Sequence, residues 1–231
     1  MARSAAAKAL PTARGADRKR LLDEEIADRL RESILKGELE AGERLTELSL
    51  ANQWQVSQAT IRAALKLLQG EGLVEYRKRR GTFVTSISEA DVLEIYTLRE
   101  MLEAFAARRA AQRVTAHGRK SLERIMRNMR AAARTGDRRR MLELDFEFHR
   151  AIVNMSGHRR LLEIYAKLES QTRLFLTMTD VLHHDLEDAI AHHEPLGNAI
   201  LAGDHQRAFE LASHHCERDA VELVRALFHK T

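Results

Sequence analysis

Residues 56–84, VSQATIRAALKLLQGEGLVEYRKRRGTFV, leave the chain few choices of local structure. Ser57 predicts a helix start, because its hydroxyl can accept the unpaired amide protons of the next turn. Ile61, Ala64, Leu65 and Leu68 then recur at helical spacing and mark one apolar face. Gln58, Thr60, Arg62 and Lys66 are expected off that face. Gly70 and Gly72 end the helix by supplying the positive φ of a sharp exit. Leu73, Val74 and Tyr76 follow, then four cations at 77–80, then Gly81 and the β-prone Thr82, Phe83 and Val84. That order predicts a hairpin with a basic tip. No carboxylate lies between Glu47 and Glu71, so nothing in that stretch repels a phosphate backbone.

A capped amphipathic helix alone is most often a core helix, and a run of cations is most often a solvated turn. The residues upstream change that weighing. Leu30, Ile34 and Leu35 predict a first helix. Leu45, Leu48 and Leu50 predict a second, capped by Thr46, and a turn at 52–56 leads into the third. Three helices followed by a cationic hairpin have the layout of a winged helix-turn-helix, which binds DNA.

Segment 30–84 resembles the DNA-binding domain of the GntR family of bacterial regulators. The resemblance rests on an entry run (Ile34, Gly37, Leu39, Gly42 and Leu45), the recognition helix from Ser57 to Leu68, and a wing from Gly72 to Val84. It departs at Gln58 and Ala59, where many relatives carry Arg and then Pro or Thr. Expected at or near operator DNA are Ser57, Gln58, Thr60, Arg62 and Lys66 on the helix. Arg44, Lys78, Arg79, Arg80 and Gly81 are expected beside the phosphates.

Charge divides the chain. Residues 1–85 carry 16 Lys and Arg against 12 Asp and Glu, whereas 86–231 carry 22 of each. All 11 histidines fall in the second part. A polyanion suits the first module, and something that engages imidazole suits the second. Residues 1–18, rich in Ala, Arg and Lys, read as a disordered basic arm, leaving 19–85 as the winged domain. The single cysteine, Cys216, excludes an internal disulfide and suits a reducing cytosol. The apolar runs are too short for a membrane span, so a cytoplasmic protein is expected.

Past a polar joint at 85–88, helical periodicity predicts six helices, at 89–113, 116–134, 137–155, 158–182, 185–202 and 204–228, with no strand. The expected fold is therefore mainly α: a winged helix-turn-helix followed by an all-α bundle over 89–229. Asp145 and His149 are i and i+4 and share a face with Leu142, Ile152 and Val153. His193 shares a face with Leu196 and Ile200, and His215 with Ala208 and Leu211. His149 alone is as readily a core histidine bonded to Asp145. Three histidines and a carboxylate on inward faces instead make a suitable shell for one divalent ion, zinc first, with nickel or manganese as alternatives.

Residues 92–225 resemble the effector-binding helical domain called FCD, in its six-helix, VanR-like form. The run Leu144, Asp145 and His149, the run His193, Ala199 and Ile200, and His215 after Gly203 and Asp204 fill the metal positions of that group. His192 stands where many relatives carry Glu, His158 where they carry Asn, and Pro195 sits inside the helix of His193. The resemblance also implies an anion-binding role for Arg99, in a Leu98, Arg99, Leu102, Glu103 run; the alternative for Arg99 is an ordinary i,i+4 surface pair with Glu103. A homodimer on a palindromic operator, answering to a small carboxylate such as a sugar or organic acid, is the function implied. The alternatives are a metal-dependent hydrolase and an architectural DNA-binding protein.

Overall fold

The computed structural model describes residues 13–177 and 186–229. It divides into two compact units, Met1–Thr85 and Ser86–Thr231.

In the first unit the elements run α1 (Ala13–Leu35), β1 (Arg44–Leu45), α2 (Glu47–Trp54), α3 (Gln58–Glu71), β2 (Val74–Arg77) and β3 (Gly81–Val84). Ser57 caps α3, accepting the Thr60 amide at 3.1 Å. Ile61, Ala64, Leu65 and Leu68 are buried with Ile26, Leu30 and Ile34 of α1 and with Leu73, Val74, Phe83 and Val84 of the hairpin. Arg31 of α1 ties down the end of α3 by a fork onto Glu71, at 2.7 and 2.6 Å. Gly72 closes α3 in the left-handed conformation at φ 78°, its amide donating back to Gln69 and Leu68. The sheet order is β1-β3-β2, all antiparallel, with Arg44 opposite Phe83 and Tyr76 opposite Thr82.

The structure differs from the sequence reading in several places. Gly70 lies within α3, and Gly72 alone makes the exit. The expected turn at 52–56 is shorter, since α2 continues to Trp54 and the reversal falls on Gln55, at φ 56°. Thr46 occupies the N-cap position of α2, but its side chain makes no capping bond. Helix α1 begins at Ala13, inside the stretch read as a disordered arm, and the rest of that stretch lies outside the described residues.

In the second unit six helices are described: α4 (Glu89–Gln112), α5 (Ala116–Thr135), α6 (Arg138–Met155), α7 (Arg159–Thr177), α8 (Leu186–Ala202) and α9 (His205–Phe228). Residues 178–182 of the expected fourth bundle helix lie outside the described residues. Small residues on α4 (Ala104, Ala107, Ala110 and Ala111) allow close approach, and the core fills with Leu122, Met126 and Met129 of α5, Phe148 and Ile152 of α6, and Leu196 and Ile200 of α8. Ser88 and Asp91 form a reciprocal capping box at the start of α4. Pro195 lies inside α8 without ending it. No helix among the described residues is long and apolar enough to cross a membrane.

Candidate nucleic-acid interface and metal centre

Gln58, Arg62 and Lys66 are exposed on α3, as a DNA-facing helix requires. Thr60 is not: it is 4% exposed, and its hydroxyl pairs with that of Ser57 at 2.9 Å. Thr60 belongs to the cap and the core, which corrects its placement on the exposed face. Thr60 stands one turn before Ala64 and two before Leu68, so it shares their buried face, and its hydroxyl is satisfied locally, so burial costs little. On the wing, Lys78, Arg79 and Arg80 are exposed. Arg77 turns back, bonding Glu75 at 2.5 Å and lying over the Phe83 ring at 4.6 Å. Arg79 takes φ 63° and Gly81 φ 102° to make the tight tip. Arg44 lies against Gly81, where an added Cβ would sit 3.4 Å from the Arg44 Nε. The exposed Arg44 on β1 is thus placed beside the wing.

In the helical unit Asp145, His149, His193 and His215 are all buried, and one ligand atom from each lies within 4.8 Å of every other. The two from α6 share a face because they are one turn apart; α8 and α9 bring the others. Asp145 Oδ1 is 2.8 Å from His193 Nε2 and 3.8 Å from His149 Nε2, and the Nε2 atoms of His149 and His215 are 3.0 Å apart. The outer nitrogens fix two of the tautomers. His193 Nδ1 donates to the Ala189 carbonyl at 2.7 Å, and His149 Nδ1 contacts Glu103 Oε2 at 2.6 Å. Both rings therefore present an Nε2 lone pair inward. His193 Nε2 is buried without a hydrogen bond; the nearby Asp145 oxygen, 2.8 Å away, is like it an acceptor. Ring nitrogens of three histidines, two of them held as acceptors, converge with a carboxylate in a buried site, a set that suits a cation. The cluster could hold a metal ion, and its donor set fits one.

Around this cluster lies a buried chain. Glu103 on α4 accepts from Arg99 Nε at 2.8 Å and from the Tyr165 hydroxyl at 3.1 Å through Oε1, while Oε2 holds His149. Burial would raise the Glu103 carboxyl, but Arg99 and then His149 outweigh it and hold it well below the usual range. Burial likewise opposes charge on His149, yet Glu103 and Asp145 raise its pKa; the anionic surroundings that favour a proton there also favour a metal, which competes for the same lone pair. Burial, with His193 and His149 nearby, pushes His215 well down. Burial and the Asp145 charge push Asp219 up to about 6, and its Oδ2 lies 3.4 Å from His215 Nε2.

Arg99 does pair with Glu103 at i,i+4, but not at the surface. It is 3% exposed, with its guanidinium 4.6 Å above the Tyr96 ring. The sequence reading missed the contact from Glu103 to His149, and Tyr165 and Asp219 altogether. Asp219 stands at i+4 from His215, a spacing that would have found it; nothing in the sequence marks Tyr165.

Two family models match the chain: the one described as bacterial regulatory proteins, gntR family, over residues 22–84, and the FCD domain over 94–218. A probable D-xylose utilization operon transcriptional repressor of Paenarthrobacter nicotinovorans is 32% identical over 203 residues, 85% of this chain and 88% of that protein. The gluconate operon transcriptional repressor of Bacillus subtilis is 29% identical over 202 residues, 85% of this chain and 82% of that protein. Among solved structures, E. coli McbR/YncC has the same fold, with TM-score 0.74 at 21% identity over 88% of this chain and 97% of that one. The two sequence relatives are named as transcriptional repressors, and the hydrolase alternative draws no support from them.

Proposed function

This chain belongs to the GntR family of bacterial regulatory proteins and carries an FCD domain, and from that premise we propose that it is a cytosolic repressor whose DNA affinity is set by a metal-bound carboxylate. The winged unit binds operator DNA through α3 and the wing, with Arg62 and Gln58 toward the bases and Arg44, Lys78, Arg79 and Arg80 toward the phosphates. Two copies reading a palindrome supply the affinity that one short helix lacks. Leu98, Met101 and Phe105 share a face of α4 and are exposed, Met101 at 65%; a second helical unit is what such a face would bury.

The observation that carries the reading is the convergence of Asp145, His149, His193 and His215 with the Nε2 lone pairs of His149 and His193 facing inward. Those four side chains would hold one divalent ion. Nitrogen from three rings and one carboxylate oxygen suit zinc, with nickel or manganese as alternatives. The bound ion supplies a Lewis-acid anchor for a carboxylate. Arg99 donates from Nε to Glu103, leaving its Nη nitrogens for the same ligand. Relatives named for a D-xylose utilization operon and a gluconate operon favour a sugar-derived acid.

Operator binding and metal content of three proteins test this. Wild-type protein is expected to contain about one divalent ion and to change operator affinity when sugar acids are added. His149→Ala should lose metal and response but keep intrinsic DNA affinity, and Arg99→Ala should keep the metal and lose the response. Wild-type protein that takes up no stoichiometric metal would mean a hydrogen-bonded histidine cluster and end the proposal.

A further inference from the structure

The stretch from α2 to the end of α3 faces a polyanion, yet it opens on a carboxylate that is aimed at the recognition helix. Glu47, in the first turn of α2, forks onto Arg62 of α3. Arg62 Nε donates to both carboxylate oxygens, at 2.9 and 3.1 Å, and Nη2 donates to one of them at 2.7 Å. A negative charge at a DNA-facing surface lowers affinity for every sequence alike. One on this spot is understandable only if it gives something back.

What it gives is geometry. A guanidinium has two edges able to make paired hydrogen bonds, Nε with Nη2 and Nη1 with Nη2. Glu47 occupies the first. The Nη1–Nη2 edge is left, and the Arg62 side chain is 68% exposed, so that edge can meet DNA. A paired set of N–H donors matches the O6 and N7 acceptors of guanine in the major groove. A free arginine on a flexible stem can instead turn to a phosphate, where it reads nothing. We propose that Glu47 is a positioning residue for base recognition: it locks Arg62 by one edge, so that the other reads guanine and the arginine is withheld from the phosphates. The inference rests on the operator-binding reading of α3 and adds the base class that Arg62 selects.

A simpler role is available to Glu47. A carboxylate in the first turn of α2 complements the helix dipole, and the bridge to α3 could serve packing alone. The two roles differ in what they do to discrimination. Removing a merely structural bridge shifts affinity for operator and unrelated DNA together. Removing a positioning carboxylate weakens discrimination while non-specific affinity rises, because a repelling charge has gone and Arg62 has been freed.

The test uses full-length protein. Selection from a random duplex library gives the preferred half-site, and each guanine in it is then replaced in turn by 7-deazaguanine, which lacks the N7 acceptor. Wild-type protein should have one guanine whose replacement costs roughly tenfold in affinity, about one bond of a bidentate pair. Arg62→Ala should be indifferent to that replacement. Glu47→Gln should lose most of the same sensitivity, bind unrelated duplex more tightly, and show a salt slope steeper by about 0.9, one further phosphate contact. Glu47→Asp keeps the charge but shortens the reach, so it should lose discrimination with a smaller gain on unrelated DNA, from the freed Arg62 alone; it also serves if Glu47→Gln melts below the assay temperature. Full 7-deazaguanine sensitivity in both Glu47 variants overturns the proposal. So does a half-site in which no guanine depends on Arg62, which leaves operator binding itself intact. If wild-type protein selects no sequence at all, the operator reading fails first, and this inference falls with it.

Discussion

Glu103→Gln separates what the buried chain would do for the proposed metal site from what it does for stability. Glu103 accepts from three directions: Arg99 and Tyr165 on Oε1, His149 on Oε2. Glutamine keeps the volume and one acceptor oxygen. With that oxygen left toward Arg99 and Tyr165, the amide NH₂ faces His149 Nδ1, and two N–H groups cannot bond. The imidazole must then carry its proton on Nε2, which points a hydrogen at the position the metal needs. Loss of an outer partner of this kind costs about 10–100-fold in metal affinity, and the inverted tautomer puts the expectation at the upper end. Stability falls less. Deleting one partner of a buried ion pair costs about 3–5 kcal/mol, but glutamine retains a hydrogen bond to Arg99, so about 2 kcal/mol is expected. For a domain of this size that is a drop of roughly 4–8 °C in Tm. Competition with a chromophoric chelator reads the affinity, and calorimetry in excess chelator reads the stability. A variant with the expected drop in Tm but metal affinity within about threefold of wild type would refute the reasoning; Glu103 would then only neutralise Arg99.

Three further outcomes are expected. Lys78→Ala, at the exposed tip of the wing, should weaken binding to operator and unrelated DNA alike and reduce the salt slope by about 0.9, measured by fluorescence anisotropy across a salt series. Ser57→Ala removes the bonds to the Thr60 amide and hydroxyl and should cost about 1 kcal/mol, seen in thermal unfolding of the winged unit. Met101→Glu places a charge on the exposed apolar face of α4 and should shift sedimentation toward monomer without changing metal content.

Local signals made much of this legible. The cap at Ser57, the apolar line behind it, the Gly72 exit and the order of the wing all lie within one stretch, so each residue constrains its neighbours. The breaks between bundle helices were legible for the same reason: Thr115, Asp137 and Asp204 cap within their own next turn. Strand β1 was not, because its two residues are a strand only by pairing with β3. Thr60 was misplaced because its side of α3 is decided by what packs there and not by its polarity. At the Asp and His cluster, the pairing of Asp145 with His149 follows from helical spacing, whereas the approach of His193 and His215 is tertiary. Arg99 shows the division within one residue: its i,i+4 partner could be read, but its burial over Tyr96 could not.

The position of α4 in the chain bears on how ligand and DNA are linked. This one helix carries both Arg99 and Glu103, and Glu103 holds His149. Its N-terminus is fixed by the capping box, in which the Ser88 amide donates to Asp91 at 2.8 Å and the Asp91 amide donates to the Ser88 hydroxyl at 3.2 Å. On the other side of the joint, the Thr85 amide donates to the Leu73 carbonyl at 3.0 Å and its hydroxyl to the Gly72 carbonyl at 2.8 Å. Gly72 is the C-cap of α3. Only Ser86 and Ile87 therefore separate a residue bonded to the end of the recognition helix from the capped start of the helix that reaches the metal cluster. A long glycine-rich linker would let each end move without the other. The joint here is two residues between bonded ends. A coupling of ligand to DNA could run along the backbone from Gly72 to Glu103, which is bonded at both ends.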